Sequence, residues 1–219
     1  EGRLTDALWG YECLGYYNSQ EEIDNDKVKS SFGTVKPGDL RYKDQNGDNV
    51  IDSKDRVVIG RWSAKFTGGM NLTLKYKNFT LFAMLTGQFG GNAIKNDTYN
   101  WVYGERKYSD VVLGAWTENK YKNGESITYP RLTTQSGDNN FNTSDYWMYS
   151  TDRIDLSRVQ LTYDFSKSLF GDNALVKGLQ VYVNGSSLLT IAGERKQMER
   201  NVGSAPQTRS FTIGAKVEF

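Results

Sequence analysis

Residues 210–219 read Ser-Phe-Thr-Ile-Gly-Ala-Lys-Val-Glu-Phe, and this stretch decides the fold class. Its apolar side chains stand at every second position: Phe211, Ile213, Ala215, Val217 and Phe219. Successive side chains of a β-strand point to opposite faces, so a period of two predicts a strand rather than a helix. One face of this strand is wholly apolar and the other is polar.

The same alternation recurs in four segments upstream, namely 66–76, 79–86, 154–165 and 179–191. The short turn Lys77–Asn78 joins the first two segments and predicts a hairpin. In the third segment the alternation slips at Ser157–Arg158, which predicts a β-bulge. With a further candidate strand in residues 11–17, the sequence predicts about five or six antiparallel strands and an all-β fold.

The connections between these strands differ greatly in length. Residues 88–152 form a very long connection rich in Asn, Gly, Tyr and Trp, whereas Lys77–Asn78 is a minimal turn. Short turns at one end and long loops at the other are typical of outer-membrane β-barrels. The alternative is a soluble β-sandwich, whose strands and loops are usually shorter. Because the smallest membrane barrels have about 8 strands, we expect this chain to be a sector of a larger transmembrane barrel.

Composition removes other classes of protein. Lys plus Arg number 27 and Asp plus Glu number 26 in 219 residues, and this balance of +1 argues against a nucleic-acid partner. No apolar run approaches the roughly 20 residues of a transmembrane helix. Histidine is absent and Cys13 is the single cysteine, which removes the usual nucleophile–base pairs. We therefore predict no enzyme, with a glycosidase built from carboxylates alone as a weak alternative.

Several motifs together resemble one family. They are Lys36–Asp44 running into Asn46-Gly47-Asp48, then Tyr129-Pro130-Arg131-Leu132, Tyr146-Trp147, Arg158–Tyr163, Leu188-Leu189-Thr190 and the terminal Phe219. In this order they resemble the C-terminal part of the SusC/RagA-type TonB-dependent outer-membrane transporters of Bacteroidetes. The resemblance implies a barrel paired with a SusD-like surface lipoprotein. It also implies import of oligosaccharides or peptides, driven by the TonB complex through an N-terminal part that these residues lack.

The resemblance and the strand pattern together predict two regions. Residues 1–65 are expected to be an extracellular loop region, and residues 66–219 are expected to be the C-terminal barrel strands. If Phe219 ends at the periplasmic side, the strand directions place the loops at 44–55 and 88–152 outside the cell. The competing function is a soluble, secreted, calcium-dependent β-sandwich that binds carbohydrate.

The most specific local motif is an acidic loop at residues 44–55. Its oxygen donors fall at the spacing of an EF-hand-type loop: Asp44, Asn46, Asp48, Asp52 and Asp55, with the carbonyl of Val50 at position 7. Ca²⁺ takes six to eight oxygen ligands, so this spacing predicts calcium. The alternative is a metal-free turn, because Asp, Asn and Gly form turns unaided. Asn49 replaces the usual glycine, and Asp55 replaces the usual glutamate.

The long connection 88–152 is rich in aromatic side chains. Trp101 and Trp116 are the candidates for contact with substrate, because aromatic faces stack on sugar rings. The alternative is packing within the loop together with an interfacial aromatic belt, for which Trp147 is the best candidate.

The last strand has a second predicted use. Phe211, Ile213, Val217 and Phe219 resemble the C-terminal signal read by the machinery that inserts outer-membrane barrels. The alternative is an ordinary final strand, and both interpretations can hold together.

Overall fold

The computed structural model describes residues 4–95, 97–106, 108–134, 139–165, 175–200 and 208–219. The chain divides into two compact units. Unit 1 comprises Glu1–Ser63 and Asn92–Tyr149, and unit 2 comprises Ala64–Gly91 and Ser150–Phe219.

The strands in chain order are β1 (Ala7–Gly10), β2 (Cys13–Tyr16), β3 (Lys29–Ser30), β4 (Leu40–Tyr42), β5 (Val50–Ile51), β6 (Val57–Arg61), β7 (Phe66–Tyr76), β8 (Phe79–Phe89), β9 (Asn92–Ile94), β10 (Met148–Ser150), β11 (Arg153–Asp164), β12 (Gly178–Ile191) and β13 (Ser210–Glu218). The helices are α1 (Gln20–Asn25), α2 (Asp97–Asn100), α3 (Glu118–Lys122) and α4 (Arg195–Arg200). Short 3₁₀ turns occupy Ser53–Asp55, Asp110–Gly114, Asn139–Phe141 and Asp145–Trp147. The helices within the described ranges fall short of the length and apolar character that crossing a membrane requires.

Unit 2 is built on one antiparallel sheet of five strands in the order β13-β12-β11-β8-β7. Its strands are 9 to 14 residues long. All five strands that the period-two pattern predicts are present, so the all-β fold class is confirmed.

The predicted bulge is also present. Between Leu156 and Arg158 the register of β11 shifts against both neighbouring strands. Against β8 Ser157 is an extra residue, whereas on β12 two residues, 187 and 188, lie opposite it. The Ser157 hydroxyl lies 2.7 Å from that of Thr86. Because of the bulge, Leu156 and Val159 lie on the same face although three positions separate them.

The two ends of this sheet differ. At one end, Lys77 and Asn78 alone join β7 to β8, and Lys77 adopts the left-handed conformation with φ of 51°. At the other end lie the start of β7, the end of β8 and the start of β11, since Phe66 pairs with Phe89 and Arg153 with Gln88. The chain therefore leaves and re-enters the sheet for unit 1 at a single end.

Unit 1 has its own small cores. One consists of Tyr11, Leu40, Tyr42 and Ile51, and the other of Val102, Ala115, Tyr129, Phe141 and Trp147. The strands of this unit are two to five residues long, for example β5 with two residues and β6 with five. Such strands are too short to show a period of two, which is why the sequence pattern presents these segments only as long polar connections.

Candidate functional site

A row of apolar side chains crosses the sheet of unit 2 from edge to edge. Ile213 pairs with Val183, Val183 with Leu161, Leu161 with Leu81, and Leu81 with Leu74. These side chains range from 36% exposed at Leu81 to 77% exposed at Ile213. Apolar residues at this degree of exposure lack any covering layer in the described part of the chain.

The register repeats this arrangement along the whole length of the strands. The exposed apolar set also includes Phe66, Met70, Leu72, Tyr76, Phe79, Phe89, Ile154, Leu189, Ile191, Phe211 and Val217. Five strands spaced about 4.8 Å apart, with about 11 residues rising 3.3 Å each, give a face of roughly 24 Å by 36 Å. We call this surface the apolar face.

The opposite face of the same sheet carries hydrogen-bonded polar side chains. Arg158 donates from Nε to Asn184 Oδ1 at 2.8 Å and from Nη2 to Gln160 Oε1 at 2.7 Å. Lys216 Nζ lies 3.1 Å from Glu218 Oε1 on the same face. Most side chains of this face are polar, although Phe82 and Met84 of β8 also lie on it, and we call it the polar face.

The candidate calcium loop is curled by its own side chains. Asp44 accepts backbone N–H groups of Gly47 at 2.7 Å and Asn49 at 2.8 Å. Burial raises the pKa of Asp44, but these and neighbouring backbone N–H groups outweigh it and hold the pKa below its usual value. Asn49 takes the left-handed conformation with φ of 63°, as a residue in the glycine position of such a loop must. The backbone of the motif therefore has the expected curl.

The other oxygen atoms that could bind calcium already accept hydrogen bonds. Asp55 is fully buried, and its two oxygens accept the N–H groups of Gln45 at 2.9 Å and Asp52 at 2.8 Å. Asn46 Oδ1 accepts the N–H of Asp48, and Asp48 Oδ1 accepts the N–H of Val50, both at 2.9 Å.

A side chain already supplies positive charge to this loop. Lys54 Nζ lies 3.8 Å from Asp48 Oδ2 and 3.5 Å from Asp52 Oδ2. Within the described residues, no three His, Cys, Asp or Glu side chains are arranged to hold a metal ion. Calcium at this loop stays a prediction, and Lys54 is the group it would have to displace.

Trp101 and Trp116 lie within unit 1. The Trp101 ring is 5.9 Å from that of Phe141 and 6.1 Å from that of Trp147, measured between centroids. Trp116 packs on Gly38 so closely that a Cβ there would lie 2.5 Å from its ring. Both indole rings are half-buried, and their contact with substrate stays a prediction beside the packing seen here.

Trp147 corrects one expectation. It is 2% exposed, its Nε1 donates to the carbonyl of Asn140 at 2.8 Å, and its ring contacts Tyr129 edge to face. A belt residue would face the membrane interface, whereas Trp147 is the centre of a core. The sequence could not reveal this burial, because an aromatic residue just before a strand looks the same whether the strand is short and buried or crosses a membrane.

A buried ion pair links two of the family-like motifs. Asp39 is 0% exposed, and Arg131 Nε lies 2.6 Å from its Oδ1. Asn140 and the N–H of Lys36 also donate to this carboxylate, both at 2.7 Å. Burial raises the pKa of Asp39 above its usual value, although Arg131 and the two other donors act in the opposite direction. The sequence shows both motifs but not this contact, because 92 residues separate the partners.

The candidate insertion signal lies on the apolar face at one edge of the sheet. Phe211 is 71% exposed and Ile213 77%, while Val217 and Phe219 are also exposed. Recognition by insertion machinery stays a prediction.

Comparison with known proteins agrees with this geometry. The TonB-dependent receptors P3 and P26 of Formosa agariphila are 23% and 28% identical to the chain, and each alignment covers 100% of it. The TonB-dependent receptor SusC of Bacteroides thetaiotaomicron is 21% identical over 96% of the chain. The structure of the RagAB peptide importer in the open-open state superposes with a TM-score of 0.68 over 97% of the chain, at 21% identity. No family model matches the sequence.

The chain is similar to the SusC/RagA-type TonB-dependent receptors. The resemblance carried by the motifs is thereby confirmed, and the fold is that of a part of such a receptor's barrel. The chain spans only 22% and 23% of the lengths of the P3 and P26 receptors.

Proposed function

We propose that this chain is a sector of the transmembrane barrel of a TonB-dependent importer in the outer membrane of a Gram-negative bacterium. The single observation that carries the proposal is the exposed apolar face of the sheet. Its strands of 9 to 14 residues match the roughly 9–11 residues that a tilted strand needs to cross the hydrocarbon layer.

The extent of the apolar face favours lipid as its neighbour. It covers roughly 850 Å² by the strand spacing used above, more than the 300–600 Å² of the largest patch on a typical soluble monomer. A β-sandwich would cover this face with a second sheet. Within the described residues of unit 2 the five strands form one sheet and the face is exposed, so the sandwich alternative loses its support.

The edges of the sheet support a larger barrel. In the described sheet β7 and β13 each pair on one side only. Unpaired backbone N–H and C=O groups cost several kcal/mol each in hydrocarbon, so an open edge does not stand in lipid. Further strands of the same receptor would pair with both edges, and the four- to five-fold greater length of the relatives supplies room for them.

The location of unit 1 along the chain sets the orientation we favour. Both of its segments join the sheet at the end opposite the minimal Lys77–Asn78 turn. Outer-membrane barrels have short periplasmic turns and long extracellular loops. The loops at 44–55 and 88–152 would then be extracellular, where a SusD-like lipoprotein would bind.

The proposed activity is import without chemical change of the substrate, which would be an oligosaccharide or a peptide. TonB would act through the part of the receptor that lies outside these 219 residues. RagAB is a peptide importer, which favours peptides as the first substrate to try.

Uptake by intact cells tests the function. Cells carrying the full-length receptor should accumulate labelled peptides or oligosaccharides, and deletion of TonB should abolish the uptake. The purified receptor should also require detergent to stay monodisperse. Unchanged uptake without TonB would refute active import, and a monomer in plain buffer would refute the barrel.

A further inference from the structure

A cavity of about 620 Å³ opens in unit 2, at the end of the sheet where β12 leads into α4. Residues from four parts of the chain line it, among them Arg153 of β11, Leu188 and Thr190 of β12, Arg195 and Met198 of α4, and Arg209 before β13. Its volume lies within the range of roughly 300–1,000 Å³ usual for small-molecule sites.

The charged groups of the cavity favour an anion. Arg153 Nε donates to Asp155 Oδ2 at 2.9 Å, and Arg195 Nε donates to Glu199 Oε1 at 2.8 Å. Among the described residues, Arg153 bonds to Asp155 through Nε alone, so its two Nη groups remain available as hydrogen-bond donors. Three guanidinium groups thus face two carboxylates, which leaves a surplus of one positive charge.

Arg209 supplies that surplus. Its side chain is exposed, and it forms no ion pair with any other residue that the structure describes. Guanidinium groups bind carboxylates through two parallel hydrogen bonds, a geometry that a single ammonium group does not offer.

The wall of the cavity is held in an uncommon backbone conformation. Ser187 has φ of 55°, and β12 carries residues 187 and 188 opposite the single extra residue of β11. A non-glycine residue in the left-handed region is strained, and such residues cluster at functional sites. Leu188 of this irregular segment lies at the cavity, and the other apolar residues of the lining are Leu189 and Met198.

The remaining lining indicates the class of ligand. No Trp, Tyr or Phe is among the described residues around the cavity, so a neutral sugar ring has no aromatic face on which to stack. Three arginines beside a leucine and a methionine suit a carboxylate attached to an apolar group.

We propose that this cavity binds the carboxylate of an imported ligand, with the neighbouring apolar part of the ligand against Leu188 and Met198. This proposal rests on the import function above and narrows its substrate to acidic ligands. An acidic peptide and an acidic saccharide share the carboxylate, and the experiment separates them.

Calorimetric titration of the full-length receptor in detergent tests the proposal with three probes. They are N-acetyl-leucyl-glutamate, the neutral N-acetyl-leucyl-glutamine amide, and digalacturonate. Arg209→Gln and Arg195→Gln remove a guanidinium group each, and Arg209→Lys keeps the charge. Arg158→Gln is the matched control, because Arg158 lies on the same face and the same strand as Arg153 but outside the cavity.

We expect the acidic peptide to bind about tenfold or more tightly than the neutral one, as loss of a charged hydrogen bond predicts. Each Arg→Gln variant should lose a similar factor, Arg209→Lys should recover part of it, and Arg158→Gln should bind as the parent does. Tighter binding of digalacturonate than of the peptide would assign the carboxylate to a saccharide. Equal binding of the charged and neutral peptides, or parental binding by both Arg→Gln variants, would overturn the proposal.

Loss of TonB distinguishes this site from the import function. Deletion of TonB should abolish uptake without changing the calorimetric affinities, whereas Arg209→Gln should weaken binding to the purified receptor. If the receptor imports neutral ligands through TonB, and both Arg→Gln variants bind with the affinity of the parent, the import function stands and the proposed carboxylate site is wrong.

Discussion

Placing an arginine on the apolar face at Ile213 separates a lipid-facing sheet from a merely exposed one. Ile213 is 77% exposed, so replacement on a water-facing surface would change the free energy of unfolding by at most about 0.5 kcal/mol. In a membrane barrel the same replacement puts a guanidinium group among acyl chains. The two environments therefore predict different outcomes for one substitution.

The position of Ile213 sets the magnitude. It is the fourth of the nine residues of β13, one position from the middle of the strand and so roughly 3 Å from the midplane along the strand. Arginine on the lipid face costs about 2–4 kcal/mol at the midplane and less than 1 kcal/mol near the interfaces. We therefore expect Ile213→Arg to lower the free energy of unfolding by about 3 kcal/mol.

The matched control is Thr212→Arg, one position away on the polar face. It should cost less than about 1 kcal/mol, because the substituted side chain points away from the apolar face. Urea unfolding of the full-length receptor refolded into lipid vesicles, followed by tryptophan fluorescence, measures both variants. A difference of less than about 0.5 kcal/mol between Ile213→Arg and the parent, or an equal loss in both variants, would contradict a lipid-facing sheet.

Three further predictions concern the bulge, the buried ion pair and the acidic loop. Deleting Ser157 removes the residue that is extra against β8 and keeps Leu156 and Val159 on one face, so near-parental assembly on a heat-modifiability gel is expected. Deleting Thr162 should instead turn Tyr163 onto the polar face and Asp164 onto the apolar face, and assembly should be impaired. Arg131→Met should cost about 3–5 kcal/mol in denaturant unfolding because it leaves the carboxylate of Asp39 buried and unpaired. Burial raises the pKa of Asp39. A carboxyl group with a raised pKa in the folded state contributes stability that is complete at low pH and declines as the pH rises, so acidification should recover part of the stability lost in Arg131→Met. Recovery at high pH instead would contradict the assignment. Calorimetry should show Ca²⁺ binding to the acidic loop, and the binding should be tighter in Lys54→Met than in the parent because the competing ammonium group is gone. If neither protein takes up Ca²⁺ at concentrations up to millimolar, the calcium hypothesis is wrong.

The sheet of unit 2 could be predicted from the sequence because its signal is local and repeated. Each strand alternates over 9 or more residues, and even the slip at Ser157 follows from a break in that alternation. The bulge of β12 escaped notice, because two inserted residues leave the parity of the strand unchanged. An odd insertion changes the alternation of apolar residues along a strand, whereas an even insertion leaves that alternation unchanged.

The interior of unit 1 could not be predicted in the same way. Its strands are short, and its decisive contacts join distant positions, such as the backbone N–H of Cys13 to Asp145 across 132 residues. The candidate site residues fared unevenly for the same reason. The motif spacing of the acidic loop gave its curl, but the nearness of Lys54 to two of its carboxylates depends on how the loop closes in space.

The division of unit 1 into two pieces has a consequence for how the molecule is made. Its second piece starts at Asn92, after the β7–β8 hairpin has already emerged from the ribosome. The first 63 residues therefore cannot complete their fold until the second piece has been made. The Tyr16 hydroxyl, for example, forms its hydrogen bond with the hydroxyl of Tyr146, which lies 130 positions further along the chain. Contacts of such long sequence separation form slowly. Unit 1 should therefore reach its final fold only after residues 92–149 are available, and so later than the β7–β8 hairpin that separates its two pieces.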